Sequence, residues 1–257
     1  MRRILPWIGL VLLAISFLCF VLLAPPVHLV AQPRRFAHGK KEPLVVVLDP
    51  GHGGTDSGAI CGTVLEKDLT LDVAVRAELL LRSAGYTTVL TRDSDRYLSL
   101  AERAAVANHE KNSLFVSIHF NDGERTAASG VETYFAARQS ATSPGILAWL
   151  SFLQPPESKP LLAKSESLAR FLQAALVEHT RAVNRGIKSE QFYVIANVRH
   201  PAALVEGGFI TNPADATKLA TTEYRQQIAS AISDGVHRYR EMSSPNEPKL
   251  AWAAPAE

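Results

Sequence analysis

Two histidines and a glutamate stand beside predicted strands, where side chains can gather around a ligand. His52 lies in the glycine-rich segment Asp49–Gly54, directly after an apolar run. Glu66 comes fourteen residues later, where a long amphipathic segment begins, and His119 follows the apolar run Leu114–Ile118. Ligands of open α/β sheets bind beyond the carboxyl ends of strands, so these three side chains could converge. Two histidines and one carboxylate form a ligand set used by catalytic zinc, with a fourth position left for water.

Glu206 is a fourth candidate, because it ends the apolar run of the segment Ala203–Gly208. A carboxylate there is costly to bury without a partner, so we expect it to face a site. Beside a water activated by zinc it would act as general base and then as general acid. Structural interpretations also exist: the histidines can be hydrogen-bonding loop residues, Glu66 can favour a helix N-terminus through the helix dipole, and Glu206 can pair with a buried arginine.

Alternating strand and helix patterns must position these side chains. The β-branched run Leu44–Leu48 predicts a strand buried on both faces, and an apolar stripe over residues 66–84, closed by Gly85, predicts a helix. Ser99 and Glu102 form a capping box that opens another helix. Further strands are predicted at Tyr86–Thr91, Leu114–Ile118, Val131–Phe135, Phe192–Ala196 and Ala203–Val205, and further helices around 168–176 and 228–239. The alternation predicts a single α/β domain with a mostly parallel sheet covered by helices on both faces.

Residues 1–31 predict one N-terminal transmembrane helix that acts as a signal anchor. Arg2 and Arg3 precede an apolar stretch over 4–24, close to the about 20 residues that a spanning helix needs. The positive-inside rule places the rest of the chain in the cell envelope or periplasm, outside the inner membrane. Cleavage of a signal peptide near Leu29–Ala31, which would give a secreted protein, is the alternative. The remaining predicted parts are a basic linker at 32–42, the catalytic domain at 43–241 and a disordered tail at 242–257.

Composition excludes several classes of protein. Hydrophobic residues make up 47% of the 257 residues, which excludes wholesale disorder and collagen-like repeats. Two cysteines cannot form a disulfide-rich scaffold. The net charge of +2 comes from 27 basic and 25 acidic residues, and no basic run is present. We therefore expect no nucleic-acid partner.

Seven segments of the chain resemble the zinc-dependent N-acetylmuramoyl-L-alanine amidases, which include bacterial division and spore-cortex enzymes. They occur in the family's order and span almost all of residues 44–240. The segments are LDPGHGGTDSGA (48–59), EKDLTL (66–71), TRDSD (91–95), LAERAAVAN (100–108), LFVSIHFN (114–121), GVETYF (130–135) and PAALVEGGFITN (201–212). The departures, Phe120 and Gly207, remove none of the four candidate residues.

The resemblance implies a role for each candidate residue. His52, Glu66 and His119 would hold one zinc ion per chain, and Glu206 would be the catalytic carboxylate. The implied reaction is hydrolysis of the amide between the lactyl group of N-acetylmuramic acid and L-alanine of the peptidoglycan stem peptide. A zinc peptidase acting within stem peptides and a catalytically silent peptidoglycan-binding or regulatory module are the alternatives.

Other parts of the resembling segments have structural interpretations. Asn121 and Asn212 are predicted to shape the site or its turns. Arg92 and Arg103 are predicted to form structural ion pairs, although Arg92 could also reach a peptide carboxylate.

A long connection over 138–164 contains the apolar stretch 146–153. Some family members carry a regulatory helix at this place, which is removed by an activator. One prediction is therefore that residues 144–156 form a short lid or an element that binds a protein activator or the membrane. The other is an apolar loop packed on the edge of the domain.

Overall fold

The computed structural model describes residues 43–123, 126–139 and 159–243. The predicted anchor and linker lie outside the described residues, as do most of the long connection and nearly all of the predicted tail. These parts are residues 1–42, 140–158 and 244–257. Within the described ranges, no helix combines the length and the apolar character that crossing a membrane requires.

Strands and helices alternate along most of the described chain. The strands are β1 Val45–Pro50, β2 Ile60–Cys61, β3 Val64–Leu65, β4 Thr87–Leu90, β5 Ser113–Asn121, β6 Val131–Phe135, β7 Asn184–Ser189 and β8 Ala202–Phe209. The helices are α1 Glu66–Ser83, α2 Leu100–His109, α3 Lys159–Thr180, α4 Tyr193–Ala196, α5 Pro213–Leu219 and α6 Thr222–Ser243. The predicted α/β class is confirmed.

Six of these strands form one sheet in the order β4-β1-β5-β8-β6-β7, and β2 and β3 form a small separate hairpin. Neighbouring strands of the sheet are parallel except for β6 and β8, which are antiparallel. The carboxyl ends of β5 and β8 therefore meet the amino ends of β6 and β7 at one edge of the sheet. The expected mostly parallel sheet is confirmed, with one antiparallel junction.

Helices cover the two faces of the sheet unequally. The three long helices α1, α3 and α6 pack on the face that carries Val46, Val116 and Val205. The other face carries Val47 and Phe115, and within the described ranges it receives only the shorter helices α2 and α4. Because side chains alternate along a strand, the residues that follow Phe115 at even intervals in β5 also point to this less covered face.

Local signals in the sequence account for several element boundaries. Ser99 and Glu102 form the predicted capping box of α2, in which the Ser99 amide donates to Glu102 Oε2 at 2.8 Å and Ser99 Oγ accepts from the Glu102 amide at 3.3 Å. The strand predicted at Phe192–Ala196 is wrong, because these residues form the single helical turn of α4. Short apolar runs do not distinguish a buried strand from a buried helical turn.

Candidate active site

The three predicted metal ligands converge on one point. The Nε2 atom of His52 lies 3.1 Å from Glu66 Oε1, and the Nδ1 atom of His119 lies 3.0 Å from the same oxygen. One ligand atom from each residue lies within 4.8 Å of the other two. Zinc bonds of about 2.0–2.1 Å in a tetrahedron separate neighbouring ligand atoms by about 3.4 Å. The donor types and their spacing therefore fit a zinc ion.

Backbone amides fix the carboxylate of Glu66. The amide of Phe120 donates to Oε1 at 3.0 Å, and the amide of Ala59 donates to Oε2 at 2.9 Å. Burial raises the pKa of Glu66, but hydrogen bonds with His119 and His52 outweigh it, and the net pKa lies far below its usual value. Glu66 is therefore held as a carboxylate, the form that binds a cation.

A carboxylate also orients His52 from its far side. Asp56 Oδ2 lies 2.9 Å from His52 Nδ1. A proton on Nδ1 in this hydrogen bond leaves the lone pair of Nε2 directed at Glu66 and the space between the ligands. Histidines that bind metals are commonly fixed by such a carboxylate on the other ring nitrogen.

Glu206 lies beside this cluster on the same face of the sheet. It is the register partner of His119 across β5 and β8, and of Glu132 across β6 and β8. Its Oε2 atom is out of contact with solvent and has no hydrogen-bond partner among the described residues. Burial, followed by the charges of Glu66 and Glu132, raises the pKa of Glu206 well above its usual value. Buried polar atoms are rarely left unpaired, so this carboxylate faces a site.

Comparison with known proteins shows which family has this arrangement. A family model described as N-acetylmuramoyl-L-alanine amidase matches residues 46–238. The chain belongs to this amidase family. Its members are metal-dependent, which agrees with the His52, Glu66 and His119 cluster.

Curated and solved amidases are similar over most of this chain. The N-acetylmuramoyl-L-alanine amidase LytC of Bacillus subtilis is 36% identical over 81% of the chain, which spans only 38% of the length of LytC. An N-acetylmuramoyl-L-alanine amidase from Clostridium difficile 630 is 31% identical, with a TM-score of 0.66 over 78% of this chain and 98% of its own. The CwlD amidase from Clostridioides difficile, solved in complex with the GerS lipoprotein, is 25% identical, with a TM-score of 0.65 over 77% of this chain and 98% of its own.

The amidase domain contains a buried acidic residue that the sequence analysis did not select. Glu132 on β6 is 1% exposed and accepts hydrogen bonds from four side chains. Its donors are Asn121 Nδ2 at 2.6 Å, Tyr134 Oη at 2.6 Å, Arg185 Nε at 2.7 Å and Lys188 Nζ at 2.6 Å. The alternation of β6 was the available signal, since it places Glu132 on the same face as Tyr134.

Two arginines of the amidase motifs support the loop that carries His52. Arg103 forms a buried ion pair with Asp49, with 2.9 Å between Nη1 and Oδ1, as the sequence predicts. Arg92 is fully buried and donates from Nη2 to the carbonyl oxygens of Gly51 and Lys67, both at 2.8 Å. The alternative that Arg92 reaches a peptide carboxylate is therefore wrong, because its guanidinium is enclosed by the backbone.

The two asparagines of the amidase motifs shape the site and a turn, as the sequence predicts. Asn212 caps α5, with its Oδ1 accepting from the amides of Ala214 and Asp215 at 3.0 Å each. Asn121 is the donor to Glu132 on the β5 side.

Glycines leave room for the ligand side chains. A Cβ atom on Gly51 would lie 2.2 Å from His119 Cε1, and one on Gly58 would lie 2.5 Å from Glu66 Oε2 and 2.7 Å from His52 Cδ2. All three distances are far shorter than van der Waals contact. Close packing of the ligands therefore requires glycine at these two positions.

Gly58→Ala is expected to lower zinc affinity by about 10–100-fold, the range seen when the surroundings of metal ligands are disturbed. Gly62→Ala is the matched control, because Gly62 has a similar φ of +60° against +64° at Gly58 and no atom within 4 Å of the added Cβ. Both variants carry the backbone strain of alanine at positive φ, but only Gly58→Ala displaces Glu66 and His52. Zinc competition with a chromophoric chelator measures the difference, and equal affinities of the two variants would refute it.

Proposed function

We propose that this chain is a zinc enzyme in which His52, Glu66 and His119 hold the metal and Glu206 is the catalytic carboxylate. Its family membership gives the reaction, hydrolysis of the amide between N-acetylmuramic acid and L-alanine in peptidoglycan. The observation that supports the residue roles is that Oε2 of Glu206, one strand away from His119, has no hydrogen-bond partner in the described part of the chain.

The reaction needs a group that accepts a proton and then returns it. Zinc in the site would supply a water of pKa near 7 and polarise the scissile carbonyl. Glu206 takes a proton from the attacking water as the water oxygen bonds to the carbonyl carbon. It then delivers this proton to the alanine nitrogen as the carbon–nitrogen bond breaks. The products are the free lactyl carboxylate and a stem peptide with an L-alanine amino terminus.

The raised pKa of Glu206 suits the first step. A carboxylate with a higher pKa binds the proton of the attacking water more strongly, and it still passes that proton to the more basic alanine nitrogen as the amide bond breaks. Burial and the neighbouring carboxylates Glu66 and Glu132 favour the protonated form. The backbone amides on Glu66 and the Asp56 contact of His52 keep the remaining side chains in place.

Mass spectrometry of purified peptidoglycan incubated with the full chain in detergent tests this proposal. We expect stem peptides that begin with L-alanine, their loss with a chelator and their return with added zinc. Cleavage within the stem peptides would instead make the chain a zinc peptidase. A folded, zinc-loaded protein that releases nothing would be a peptidoglycan-binding or regulatory module.

The chain acts outside the cytoplasm, as its cell-wall amidase relatives do. We propose that residues 1–31 anchor it to the inner membrane and that 32–42 link this anchor to the catalytic domain at 43–241. Arg2, Arg3 and the apolar stretch that follows them support the anchor. Recovery of the full chain in alkali-washed membranes is expected, whereas a shortened chain in the soluble fraction would indicate signal cleavage.

We also propose that a protein activator acts through the 138–164 connection. Residues 242–257 would form a tail that follows the catalytic domain. The CwlD amidase is solved in complex with a lipoprotein, which supports a protein partner for this fold.

A further inference from the structure

Two positive side chains of β7 share one oxygen of Glu132 beside the proposed catalytic centre. Arg185 Nε and Lys188 Nζ lie 2.7 and 2.6 Å from Glu132 Oε2, while Asn121 and Tyr134 donate to Oε1. Glu132 is thereby fully hydrogen-bonded and almost completely buried. A single carboxylate oxygen is thus shared by two cations, and each cation keeps donors that this contact does not use.

Arg185 is held in a fixed orientation, and its two terminal guanidinium nitrogens make no hydrogen bond to a described residue. Its guanidinium carbon lies 4.8 Å from the centroid of the Phe209 ring, and among the described residues only its Nε has a hydrogen-bond partner. The side chain is 33% exposed. The two terminal nitrogens are therefore available for a planar anion, and a guanidinium matches the two oxygens of a carboxylate.

Lys188 places the second charge toward the catalytic side. Its Nζ lies 5.5 Å from the centroid of the Tyr134 ring, and its side chain is 37% exposed. Lys188 is also the register partner of Tyr134 on β6, the strand that lies next to β8. An ammonium group has three donors, and the contact with Glu132 uses one of them.

We propose that Arg185 and Lys188 form a subsite for the first free carboxylate of the stem peptide beyond the scissile amide, and that Glu132 positions both cations. This inference rests on the proposed function. The lactyl carboxyl of an intact substrate is part of the amide, so the glycan side of the cut is neutral. Carboxylates occur only on the peptide side, and the cations therefore direct the stem peptide toward β7.

Distances agree with an acidic residue directly after the L-alanine. Adjacent strands lie about 4.8 Å apart, so Arg185 is about 10 Å from Glu206 across β6. Consecutive Cα atoms lie about 3.8 Å apart, so the α-carboxylate of the second residue is about 6 Å from the scissile nitrogen. With a hydrogen bond of about 3 Å at each end, the path from Glu206 through the substrate to Arg185 is about 12 Å long. This length is close to the separation of about 10 Å between the two strand positions, and the arginine side chain can cover the difference.

The test uses two muramoyl tripeptides with the same third residue, joined through the γ-carboxyl of the second residue. The second residue has a free α-carboxylate in one (D-isoglutamate) and an α-amide in the other (D-isoglutamine). The wild-type full chain is expected to have a KM about tenfold to a hundredfold lower for the acidic peptide, since hydrogen bonds to charged groups have that effect. In Arg185→Gln the KM of the acidic peptide is expected to rise to that of the amidated peptide, with kcat changed less than about threefold. Arg185→Lys is expected to restore part of it, because it keeps the charge without the fork.

Arg238→Gln is the matched control. Arg238 on α6 is 37% exposed, close to the 33% of Arg185, and it pairs with Asp234 away from the site, so its loss is expected to leave the preference intact. A purely structural role for Arg185 would lower thermal stability and weaken both peptides equally. That result, or a wild-type chain that treats both peptides alike, would overturn the subsite.

Binding to the Glu206→Gln chain separates this inference from the proposed function. Calorimetry with the two peptides measures the subsite without turnover, and we expect the acidic peptide to bind about tenfold or more tightly. Equal affinities overturn the subsite even if the wild-type chain is active. Absence of peptides beginning with L-alanine after incubation with the wild-type chain overturns the proposed function, whatever the affinities are.

Discussion

Glu206→Gln is expected to lower the kcat of amide hydrolysis by about 10²–10⁴-fold, the contribution of a well-placed general acid–base group. Glutamine has nearly the same shape but cannot take the proton of water or return it to the alanine nitrogen. The zinc content is expected to stay unchanged, because His52, Glu66 and His119 keep their contacts. Product release from muramoyl peptides, together with metal analysis of the same protein sample, measures both quantities.

Stability distinguishes lost chemistry from a damaged fold in this variant. Oε2 of Glu206 is buried, and no described residue hydrogen-bonds to it. Replacing the carboxylate therefore removes an unfavourable burial, and the melting temperature is expected to stay equal or rise. Glu166→Gln is the control, because Glu166 pairs with Arg170 on the surface of α3 and is expected to leave kcat unchanged. A Glu206→Gln enzyme with more than about a tenth of wild-type kcat would exclude the assigned role.

Asp49→Asn is expected to lower the free energy of unfolding by about 3–5 kcal/mol, the effect of breaking a buried ion pair from one side. Asp49 is completely buried and accepts from Thr91 Oγ1 at 2.6 Å, Ser117 Oγ at 2.7 Å and Arg103 Nη1 at 2.9 Å. The variant leaves the guanidinium of Arg103, which is 3% exposed, without its counter-charge. Urea unfolding at pH 7 measures the loss.

Asp72→Asn is the matched control for this prediction. Asp72 also contacts two arginines, Arg76 at 2.9 Å and Arg225 at 2.5 Å, but its side chain is 35% exposed. Exposed pairs of this kind contribute about 0–1 kcal/mol because water screens their charges. Equal losses in the two variants would show that burial of Asp49 does not decide its contribution.

The Asp49–Arg103 ion pair also supports the candidate active site. Arg103 donates to the carbonyl oxygens of Pro50 and His52 at 2.7 and 2.6 Å, so the ion pair supports the loop that carries a proposed ligand. The residue His52 itself has a φ of 58°, a conformation that is uncommon outside glycine. The surrounding hydrogen bonds are what hold the ring of His52 toward Glu66.

The sequence alone predicted the features that depend on neighbouring residues. The β-branched run of β1, the apolar stripe of α1 and the capping box at Ser99 and Glu102 are local patterns, and each forms where it was expected. Parallel strands expose their carboxyl ends at one edge, so the sequence by itself predicts that His119 and Glu206 lie close together. Family resemblance then supplied their roles.

Only the tertiary structure revealed the surroundings of Glu132. Its partners Arg185 and Lys188 lie on β7, whose sequence NRGIKS has few residues that favour strands, and this edge strand was not predicted. The contacts join positions more than fifty residues apart through the order β8-β6-β7 and the antiparallel junction of β6 and β8.

The role of Arg92 was also decided by the tertiary structure. In the sequence its position after a strand is equally compatible with binding a substrate and with supporting the backbone. The fold closes over its guanidinium, because Gly51 and Lys67 turn their carbonyl oxygens toward it. Residue type and spacing fixed which chemistry this chain could perform. Burial and long-range strand pairing, which no local pattern encodes, decided that Arg92 is enclosed and that Arg185 and Lys188 remain accessible to a substrate.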